Sequence, residues 1–429
     1  LAESDHVCAA DDWRHVAIGG GEPVCRPERH EGNTVSWTEV VHADVHEFLP
    51  VMEAQSVQCV VTSPPYWGLR DYGVEGQIGL EPTPDAYVET LVEVFREVWR
   101  VLRDDGTVWC NLGDSYAQTT TRHRGETINR YTPGGAWKQN TNGAWIDNRK
   151  GTATGGLKPK DLCMIPARVA LALQADGWYL RSDIIWAKGI SFCPSYSGSV
   201  MPESVTDRPT QSYEHVFLLA KQKKYYYDAE AVREKGSGQS GEAANFARTT
   251  KDHVIPGQSV RQHRLERKPT ADTGTRNLRN VWAIGTKPYK AAHFATFPPA
   301  LVEPCIKAGT SQKGQCAACG APWIREVERT PMKVRPGPGR QPLQSSSMGS
   351  TKRTAITGTM LEPSSSKTIG WSPSCECNAK REPQIVLDPF CGSGTVGEVC
   401  TRYHRNFIGV ELNEDYVALA NARIAAARQ

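Results

Sequence analysis

The first motif whose residue types could do chemistry is Ser63-Pro64-Pro65-Tyr66, directly after the apolar segment Val57–Val61. Two consecutive prolines hold the backbone extended and remove two amide donors, so carbonyl oxygens are left to accept hydrogen bonds from another group. The aromatic ring that follows can stack on a planar molecule. The tetrapeptide therefore predicts an acceptor cluster for an amino group beside a stacking surface, and a rigid turn at the end of a strand is the alternative.

A second motif, Asp388-Pro389-Phe390-Cys391-Gly392-Ser393-Gly394-Thr395, follows the predicted strand Ile385–Leu387. A Gly-rich turn after a strand lets the backbone approach a ligand closely. Glu411 ends the next predicted strand roughly 20 positions later, where an acidic residue can bind ribose hydroxyls. The turn lacks both the complete G-x-G-x-x-G of a dinucleotide site and the Gly-Lys-Ser/Thr of a phosphate loop. We therefore prefer S-adenosylmethionine to NAD or ATP as the cofactor.

Four cysteines form a third pattern, Cys316-Ala317-Ala318-Cys319-Gly320 and Cys375-Glu376-Cys377. Cys-x-x-Cys followed by Gly is typical of a zinc knuckle, and two further cysteines complete a tetrahedral set of thiolates. The pattern predicts that Cys316, Cys319, Cys375 and Cys377 bind structural zinc, with free thiols as the alternative. All four ligands come from the protein, so no open position would remain for catalysis.

The elements that must position these motifs alternate between strand and helix patterns. Apolar residues recur every three or four positions over Asp85–Leu102, which predicts a helix with one buried face. Further helices are predicted over 162–175 and 416–426, and strands over 40–42, 57–61, 107–112, 179–187, 214–221, 385–387 and 407–410. Strands that alternate with helices predict an α/β fold whose sheet is mostly parallel.

Composition narrows the class of protein. The chain has 429 residues, which suggests two or three domains. Its net charge is only +3, but Lys and Arg concentrate in the middle, which indicates a polyanion-binding surface. No apolar stretch approaches the ~20 residues of a membrane span. The 13 cysteines, several in apolar segments, predict reduced thiols in an intracellular compartment.

Together, Ser63-Pro64-Pro65-Tyr66 and the Asp388–Gly394 turn resemble the DNA amino-methyltransferases, which methylate N4 of cytosine or N6 of adenine. The tetrapeptide precedes the turn, as in the β class of that family. Four more segments resemble the family: His42-Ala43-Asp44, Val101–Gly106, Asp183–Lys188 and His293–Pro298. The resemblance covers residues 36–230 and 276–429.

The resemblance implies a Rossmann-like methyltransferase sheet with helices on both faces, and it assigns roles to residues. Ser63, Pro64, Pro65 and Tyr66 would be catalytic, with Tyr66 stacking on a base flipped out of double-stranded DNA. The residues implied to bind S-adenosylmethionine are Asp44, Phe297, Asp388, Pro389, Phe390, Gly392, Gly394, Thr395 and Glu411. For Asp44 and Phe297, a helix cap and a core residue are the respective alternatives.

On this interpretation the chain divides into five parts. They are an N-terminal extension (1–34), a catalytic half (35–230) with an insertion at 117–160, a basic target-recognition region (231–284), a cofactor half (285–309 and 381–429) and a zinc-ribbon-like insertion (310–380). The last contains a low-complexity linker, 329–370, too poor in apolar residues to build a core. DNA contact is expected from the 117–160 insertion and the basic region.

Several alternatives stay open from the sequence. Ser63 favours N4 of cytosine in this family, whereas Asp at that position favours N6 of adenine. Methylation of another substrate, including C5 of cytosine or RNA, is a second alternative. C5 chemistry needs a thiolate that attacks the ring, but Cys305, which follows Pro304, lies far from the tetrapeptide in an apparently helical segment and is predicted to be buried and structural. An inactive scaffold acting as a zinc-containing DNA-binding module is the remaining alternative. We expect a cytoplasmic, nucleoid-associated protein; a partner restriction nuclease and the oligomeric state stay open.

Overall fold

The computed structural model describes residues 13–16, 24–27, 36–69, 73–117, 157–200, 203–235, 275–287, 297–330, 333–336, 358–362 and 365–428. Most of the 117–160 insertion and of the 231–284 region, and residues 288–296, lie outside these ranges. Contacts divide the chain into two units. Unit 1 comprises Leu1–Asp228, Arg279–Ile324 and Pro373–Gln429, and unit 2 comprises Ala229–Leu278 and Arg325–Ser372.

The described residues form eighteen strands and six α-helices. The strands are β1 (Trp13–Val16), β2 (Val24–Pro27), β3 (Thr38–His42), β4 (Val57–Thr62), β5 (Leu102–Leu112), β6 (Tyr179–Ala187), β7 (Tyr213–Ala220), β8 (Glu234–Lys235), β9 (Thr275–Arg276), β10 (Val281–Ala283), β11 (Gln315–Cys316), β12 (Trp323–Thr330), β13 (Lys333–Pro336), β14 (Gly358–Glu362), β15 (Ser365–Pro373), β16 (Arg381–Glu382), β17 (Ile385–Asp388) and β18 (Asn406–Glu411). The helices are α1 (Val45–Val51), α2 (Pro84–Val101), α3 (Ile165–Ala175), α4 (Pro299–Gly309), α5 (Thr395–Arg402) and α6 (Glu414–Ala426), and Ala229–Val232 is a 3₁₀ turn.

Unit 1 is built on an eight-stranded sheet in the order β10-β6-β7-β5-β4-β17-β18-β3. Only β7 runs antiparallel to both of its neighbours in this sheet. The mostly parallel α/β fold predicted from the sequence is therefore confirmed. Strands β17 and β18, from the end of the chain, lie between β3 and β4, from its beginning. This insertion brings the two predicted motifs to adjacent strands.

Helices cover both faces of the sheet. On one face α1, α2 and α3 pack side by side, and on the other α4, α5 and α6 do so. Adjacent residues of β4 show the alternation, since Val60 joins the core beneath α1–α3 whereas Cys59 faces Gly309 of α4. All six residues of β4 are buried, as expected for a central strand covered on both faces.

Helix α2 follows the sequence prediction closely. It spans Pro84–Val101, and Thr83 caps it by accepting a hydrogen bond from the Ala86 amide at 3.1 Å. A proline in the first turn costs no hydrogen bond because that amide has no partner within the helix. The buried face consists of Tyr87, Leu91, Val94, Phe95, Val98 and Val101. Burial of apolar surface contributes about 25 cal/mol per Å² to stability. Burial of this face therefore stabilises the helix more than its intrinsic helix propensity does.

Two boundaries differ from the predictions because of pairing with residues that are distant in the chain. Strand β5 begins at Leu102 rather than at residue 107, and its pairing with β4 shifts register between the Val57–Leu102 and Cys59–Thr107 pairs. Residues 103–106, between the predicted helix and the predicted strand, thus belong to one irregular strand. Helix α3 begins at Ile165 rather than at residue 162, because Leu162 forms an antiparallel bridge with Tyr116.

Unit 2 contains short two-stranded sheets. Strand β8 pairs with β9, β12 with β15, and β13 with β14. Strands β13, β14 and most of β15 lie within 329–370, where the sequence predicted a low-complexity linker too poor in apolar residues to build a core. The pairing of these described strands was not predicted: paired strands satisfy their backbone hydrogen bonds without an apolar core. The predicted 310–380 insertion is also divided, since its cysteines belong to unit 1.

Within the predicted N-terminal extension, β1 and β2 pair as antiparallel strands over Trp13–Val16 and Val24–Pro27. Among the described helices, none is long and apolar enough to cross a bilayer.

Candidate active site and four-cysteine cluster

The two motifs meet at one edge of the unit 1 sheet. Parallel strands β4 and β17 are neighbours, so their carboxyl ends, Thr62 and Asp388, lie side by side. Thr62 Oγ1 donates a hydrogen bond to Asp388 Oδ1 at 2.7 Å, and both side chains are buried. A ligand site is expected where neighbouring strands of an open α/β sheet end and the connections diverge.

The tetrapeptide Ser63-Pro64-Pro65-Tyr66 leaves β4 in the extended form that its prolines impose. Tyr87 of α2 donates its hydroxyl to the Pro65 carbonyl at 2.8 Å, so one of the carbonyls predicted to accept from a ligand is used within the fold. Ser63 Oγ donates to the Tyr66 hydroxyl across 3.4 Å. Gly113 lies against the Tyr66 ring, since a Cβ there would be 2.6 Å from a ring carbon.

Behind the tetrapeptide lie polar residues that sequence reasoning missed. The Tyr66 hydroxyl donates to Glu214 Oε2 at 2.6 Å. Asn111 Nδ2 donates to the Tyr66 hydroxyl at 2.7 Å and to the same Glu214 oxygen at 2.8 Å. Lys188 forms an ion pair with Glu214 Oε1. The only signals in the sequence were a polar Asn111 in an apolar strand and a carboxylate at the start of β7.

Asp388 is a buried carboxyl with one oxygen engaged and one not. Its Oδ1 accepts from Thr62 and from the Phe390 amide at 3.1 Å, whereas Oδ2 is buried without a hydrogen-bond partner in the structure. Burial, opposed by those two hydrogen bonds and supported by the nearby Glu411, raises the pKa of Asp388 to about 7. A buried acceptor without a partner requires an explanation, and a donor group of a ligand is one that fits the position of Asp388 Oδ2.

Glu411 ends β18 beside the Gly-rich turn. Its Oε2 accepts from the Gly392 amide at 2.7 Å and its Oε1 from the Asn413 amide at 2.9 Å. Burial raises the pKa of Glu411 above its ordinary value. The carboxylate therefore ties the turn to the next strand, at the place where the sequence predicted a ribose-binding acid.

The turn has glycines where the backbone requires them. Gly392 has φ of +52°, and nothing lies within 4 Å of the position a Cβ would take. Gly394 has φ of +76°, and a Cβ there would lie 2.8 Å from Ala420 of α6. The first glycine leaves open space over the turn, and the second allows close packing beneath it.

A buried arginine of α6 donates hydrogen bonds to the Gly-rich turn. Arg423 of α6 pairs with Glu398 of α5 at 2.5 Å and donates to Ser393 Oγ at 3.0 Å and to Thr395 Oγ1 at 2.8 Å. The Thr395 hydroxyl, predicted to bind the cofactor, is thus engaged with Arg423. Pro389 is buried and Phe390 half-buried at the end of β17.

Asp44 and Phe297 are at the same end of the sheet. Asp44 caps α1 through its Oδ1, which accepts from the His46 amide at 2.8 Å, and the preceding Ala43 amide donates to the Glu411 carbonyl at 3.1 Å. Phe297 lines a small cavity together with Thr62 and Asn111. Residues 293–296 of its predicted segment lie outside the described ranges.

Cys305 lines the same cavity, although it lies far from the tetrapeptide along the chain. Its thiol is 1% exposed and donates to the Leu301 carbonyl at 3.3 Å. Burial raises the pKa of this thiol well above its usual range. The prediction of a buried cysteine in a helix is confirmed, and a thiol held in the neutral form is a poor nucleophile.

The four predicted metal ligands lie together in unit 1. The sulfurs of Cys316, Cys319, Cys375 and Cys377 are all within 4.8 Å of one another. The Gly320 amide donates to the Cys316 carbonyl at 2.8 Å, and Gly320 has φ of +70°, so a glycine closes the turn of the first pair. Backbone amides of the turn that face its sulfur lower the pKa of Cys316 to about 7.

An α/β sheet with a Gly-rich turn at the end of one strand and the Ser63-Pro64-Pro65-Tyr66 tetrapeptide at the end of its neighbour has the arrangement of the ligand-binding α/β proteins. Comparison with known proteins narrows this class. A family model described as DNA methylase matches residues 57–316 and 378–422. The chain belongs to this family, the N6/N4 DNA amino-methyltransferases, with the β-class order of motifs. The family uses S-adenosylmethionine as its methyl donor.

Similar proteins cover nearly the whole chain. The Type II methyltransferase M.XycI of Xanthomonas campestris pv. cyanopsidis is 37% identical over 407 residues, 94% of this chain and 92% of that protein. M.Cfr9I of Citrobacter freundii is 36% identical over 397 residues, 92% of this chain and 90% of that protein. Among solved structures, the PvuII DNA methyltransferase (cytosine-N4-specific) has a TM-score of 0.46 at 16% identity, over 91% of this chain and 87% of that chain.

Proposed function

We propose that this enzyme transfers a methyl group from S-adenosylmethionine to N4 of a cytosine flipped out of double-stranded DNA. The observation that carries the proposal is the hydrogen bond between Thr62 and Asp388. It fixes the acceptor tetrapeptide against the cofactor turn, so that methyl acceptor and methyl donor would be held on adjacent strand ends. Holding two reactants in one geometry supplies much of the rate enhancement for a transfer of this kind.

Methyl transfer requires that the exocyclic amine of the base become more nucleophilic. The lone pair of an exocyclic amine is delocalised into its ring, and an acceptor for the N–H hydrogens favours the pyramidal nitrogen that attacks the sulfonium methyl. Ser63 Oγ and the Pro64 carbonyl are our candidates for these acceptors, and the Tyr66 ring would stack on the base. No covalent intermediate is needed, in keeping with the buried, neutral thiol of Cys305.

The residues around the turn fit the cofactor. The Asp388 Oδ2 atom is a buried acceptor without a partner and suits a donor such as the amino group of S-adenosylmethionine. The open space over Gly392 admits a ligand against the backbone. Glu411 would accept from the ribose hydroxyls, Asp44 would lie near the adenine, and Phe297 would close the methionine end. When bound, the cofactor supplies an electrophilic methyl group.

The choice of base follows from the first residue of the tetrapeptide. Ser63 offers a neutral hydroxyl where the N6-adenine members of the family commonly have Asp. N6-adenine methylation is the alternative within the same mechanism. Incubation with S-adenosylmethionine and unmethylated DNA, digestion to nucleosides and mass spectrometry of the product decide between the two.

Each product would carry a different conclusion. N4-methylcytosine supports the proposal, and N6-methyladenine keeps the mechanism but overturns the base. C5-methylcytosine, or methylation of RNA alone, would contradict it. Absence of any product on several DNAs, with cofactor binding intact, would favour a narrow recognition sequence, an RNA substrate or the inactive scaffold.

We also propose that the four-cysteine cluster binds structural zinc. Sulfurs within 4.8 Å of one another are close to the spacing set by an ion bound at about 2.3 Å to each. Backbone amides lower the pKa of Cys316, which favours the thiolate that metal binding requires, whereas the neighbouring thiols raise the pKa of Cys375 and Cys377, whose protons an ion would have to displace. The ion would clip β11 and the turn after β15 together, at a site separate from the active-site edge.

For DNA contact we propose the basic target-recognition region at 231–284 and the 117–160 insertion, as the sequence indicates. Lys and Arg that neutralise phosphates release counterions, so the DNA affinity should fall steeply with added salt. A salt titration of DNA binding tests this: a log–log plot without slope contradicts it, and substitution of several of Arg261, Arg264 and Arg267 should reduce the slope.

A further inference from the structure

A carboxylate from outside both motifs is in contact with the tetrapeptide. Glu214 lies near the start of the antiparallel strand β7, and its side chain is 13% exposed. Its Oε2 accepts hydrogen bonds from the Tyr66 hydroxyl at 2.6 Å and from Asn111 Nδ2 at 2.8 Å. The ammonium of Lys188, next to the end of β6, pairs with the other oxygen. Glu214 is therefore held by partners from three different strands or their ends.

These contacts fix the direction of each hydroxyl proton. An ionised carboxylate only accepts hydrogen bonds, so the Tyr66 hydroxyl must donate its proton to Glu214. The phenolic oxygen is then left to accept, from Asn111 Nδ2 at 2.7 Å and from Ser63 Oγ at 3.4 Å. The Ser63 hydroxyl in turn donates its proton to the Tyr66 oxygen. Asn111 Nδ2 also donates to Ser63 Oγ at 3.4 Å, which uses one of the two lone pairs of that oxygen. The second lone pair of Ser63 Oγ is available to the amine that the proposed function places there.

We propose that Glu214, held by Lys188, is a positioning residue that sets the polarity of the Ser63–Tyr66 pair, so that Ser63 presents an acceptor rather than a donor to the substrate amine. The inference rests on the proposed function and deepens it. Ser63 has no charge of its own, and the carboxylate behind it fixes the orientation of its proton. Hydrogen bonds to an ionised acceptor are about twice as strong as neutral ones, so the orientation persists when a base enters.

Glu214→Gln tests the inference, because the amide is nearly isosteric with the carboxylate but can donate a proton to the Tyr66 oxygen. The direction of the hydrogen bonds between Ser63, Tyr66 and residue 214 could then reverse. We expect kcat for DNA methylation to fall about 100-fold, the scale of loss for a misdirected catalytic group. The Kd for S-adenosylmethionine and the KM for DNA should stay within about threefold of the wild-type values, a change smaller than the tenfold that 1.4 kcal/mol represents. Single-turnover assays would report the chemical step.

A matched control is Glu203→Gln. Glu203 is also partly buried and paired with an arginine, Arg208, at 2.6 Å, but neither residue has a described contact with the tetrapeptide. This variant should retain wild-type kcat. Lys188→Gln is a second variant should Glu214→Gln fail to fold, and Lys188→Arg, which keeps the ion pair, should recover most of the activity.

A double-mutant cycle separates positioning from a general structural role. Tyr66→Phe removes the hydroxyl through which Glu214 acts, so adding Glu214→Gln to it should lower kcat by no more than about threefold further. Full additivity of the two losses would overturn the inference, as would wild-type kcat in Glu214→Gln, or a defect confined to KM or to cofactor binding. Failure of the wild-type enzyme to methylate any exocyclic amine would overturn the proposed function instead.

Discussion

Thr62 and Asp388 are 326 positions apart in the chain, yet Thr62 Oγ1 donates a buried hydrogen bond to Asp388 Oδ1 at 2.7 Å, where β4 and β17 end side by side. This bond joins the strand that leads into the tetrapeptide with the strand that leads into the cofactor turn. It also leaves Asp388 Oδ2 as a buried acceptor without a partner. The geometry of transfer between the two sites therefore depends on a residue that belongs to neither motif.

Thr62→Val should test that bond while keeping the shape of the side chain. Removal of one hydrogen bond to a charged acceptor should cost about 1.5–3 kcal/mol of stability or of ligand binding. We expect weaker binding of S-adenosylmethionine, since the ionised form of Asp388 loses a donor that stabilises it. Calorimetric titration measures this, and an unchanged affinity would contradict the role given to Thr62. Thr90→Val is the control, because the half-buried Thr90 hydroxyl donates to the Ala86 carbonyl of its own helix at 3.0 Å and lies outside both motifs.

Binding of S-adenosylmethionine should weaken as the pH falls below about 7. Burial raises the pKa of Asp388 to about 7, so below that pH the carboxyl is increasingly protonated and loses its attraction for the cofactor's amino group. Binding should favour the ionised form and release protons between pH 5.5 and 7, which calorimetry in two buffers of different ionisation enthalpy detects. Asp388→Asn should bind weakly at every pH in that interval. A wild-type affinity that rises on acidification would reverse the assignment.

Tyr66→Ala should abolish most turnover while S-adenosylmethionine still binds. Base stacking on an aromatic ring is worth about 1–3 kcal/mol, and the substitution also removes the hydroxyl that contacts Asn111 and Glu214. Tyr66→Phe keeps the ring and should retain the DNA affinity lost in Tyr66→Ala. Loss of cofactor binding in Tyr66→Ala would mean that the residue has been assigned to the wrong ligand.

Gly113→Ala should displace the Tyr66 ring without altering any polar group. A Cβ at Gly113 would lie 2.6 Å from a carbon of that ring, and Gly113 has no positive φ that would add backbone strain. We expect kcat to fall by more than a loss of folded protein, judged from the melting temperature of the variant, would explain. Gly285→Ala is the control, because the closest atom to its added Cβ would be 4.0 Å away. Equal activities of the two variants would show that the position of the ring is not critical.

Cys316→Ser combined with Cys319→Ser should release zinc and lower the stability of the protein. Metal binding that requires the folded cluster contributes to the free energy of folding, so a chelator should lower the melting temperature of the wild type but not of the variant. The single-turnover methylation rate of the folded variant should be unchanged. Cys193→Ser, outside the cluster, should keep its zinc. Equal zinc content in wild type and double variant by elemental analysis would refute the four-cysteine site.

Arg423→Met should destabilise the protein at the Gly-rich turn more than the same substitution of a surface arginine would. The substitution leaves the buried Glu398 carboxylate without its closest buried partner and removes donors to Ser393 and Thr395. Breaking a buried ion pair from one side costs about 3–5 kcal/mol. Arg402, which is 52% exposed and pairs with the same Glu398, provides the comparison. Chemical denaturation of Arg423→Met and Arg402→Met should separate the two; equal losses would contradict the anchoring role.

Much of the local structure could be predicted from the sequence, because it depends on neighbours along the chain. The apolar periodicity of α2 and the apolar strands around each motif gave elements whose bounds agree within a few residues. The exceptions have tertiary causes. Leu162 pairs with Tyr116 instead of joining α3, and the 329–370 segment contains strands that pair with each other despite a composition poor in apolar residues.

The sequence alone also determined the residue types of the site, since Ser63-Pro64-Pro65-Tyr66 and the Gly392–Gly394 turn carry their chemistry in a few adjacent residues. Only the tertiary structure decided what surrounds them. Insertion of β17 and β18 beside β4 brings Asp388 to Thr62, and antiparallel β7 brings Glu214 to Tyr66. A single polar residue in a strand carries no local pattern. Its role depends on the order of strands in the sheet, which is set by packing between distant parts of the chain.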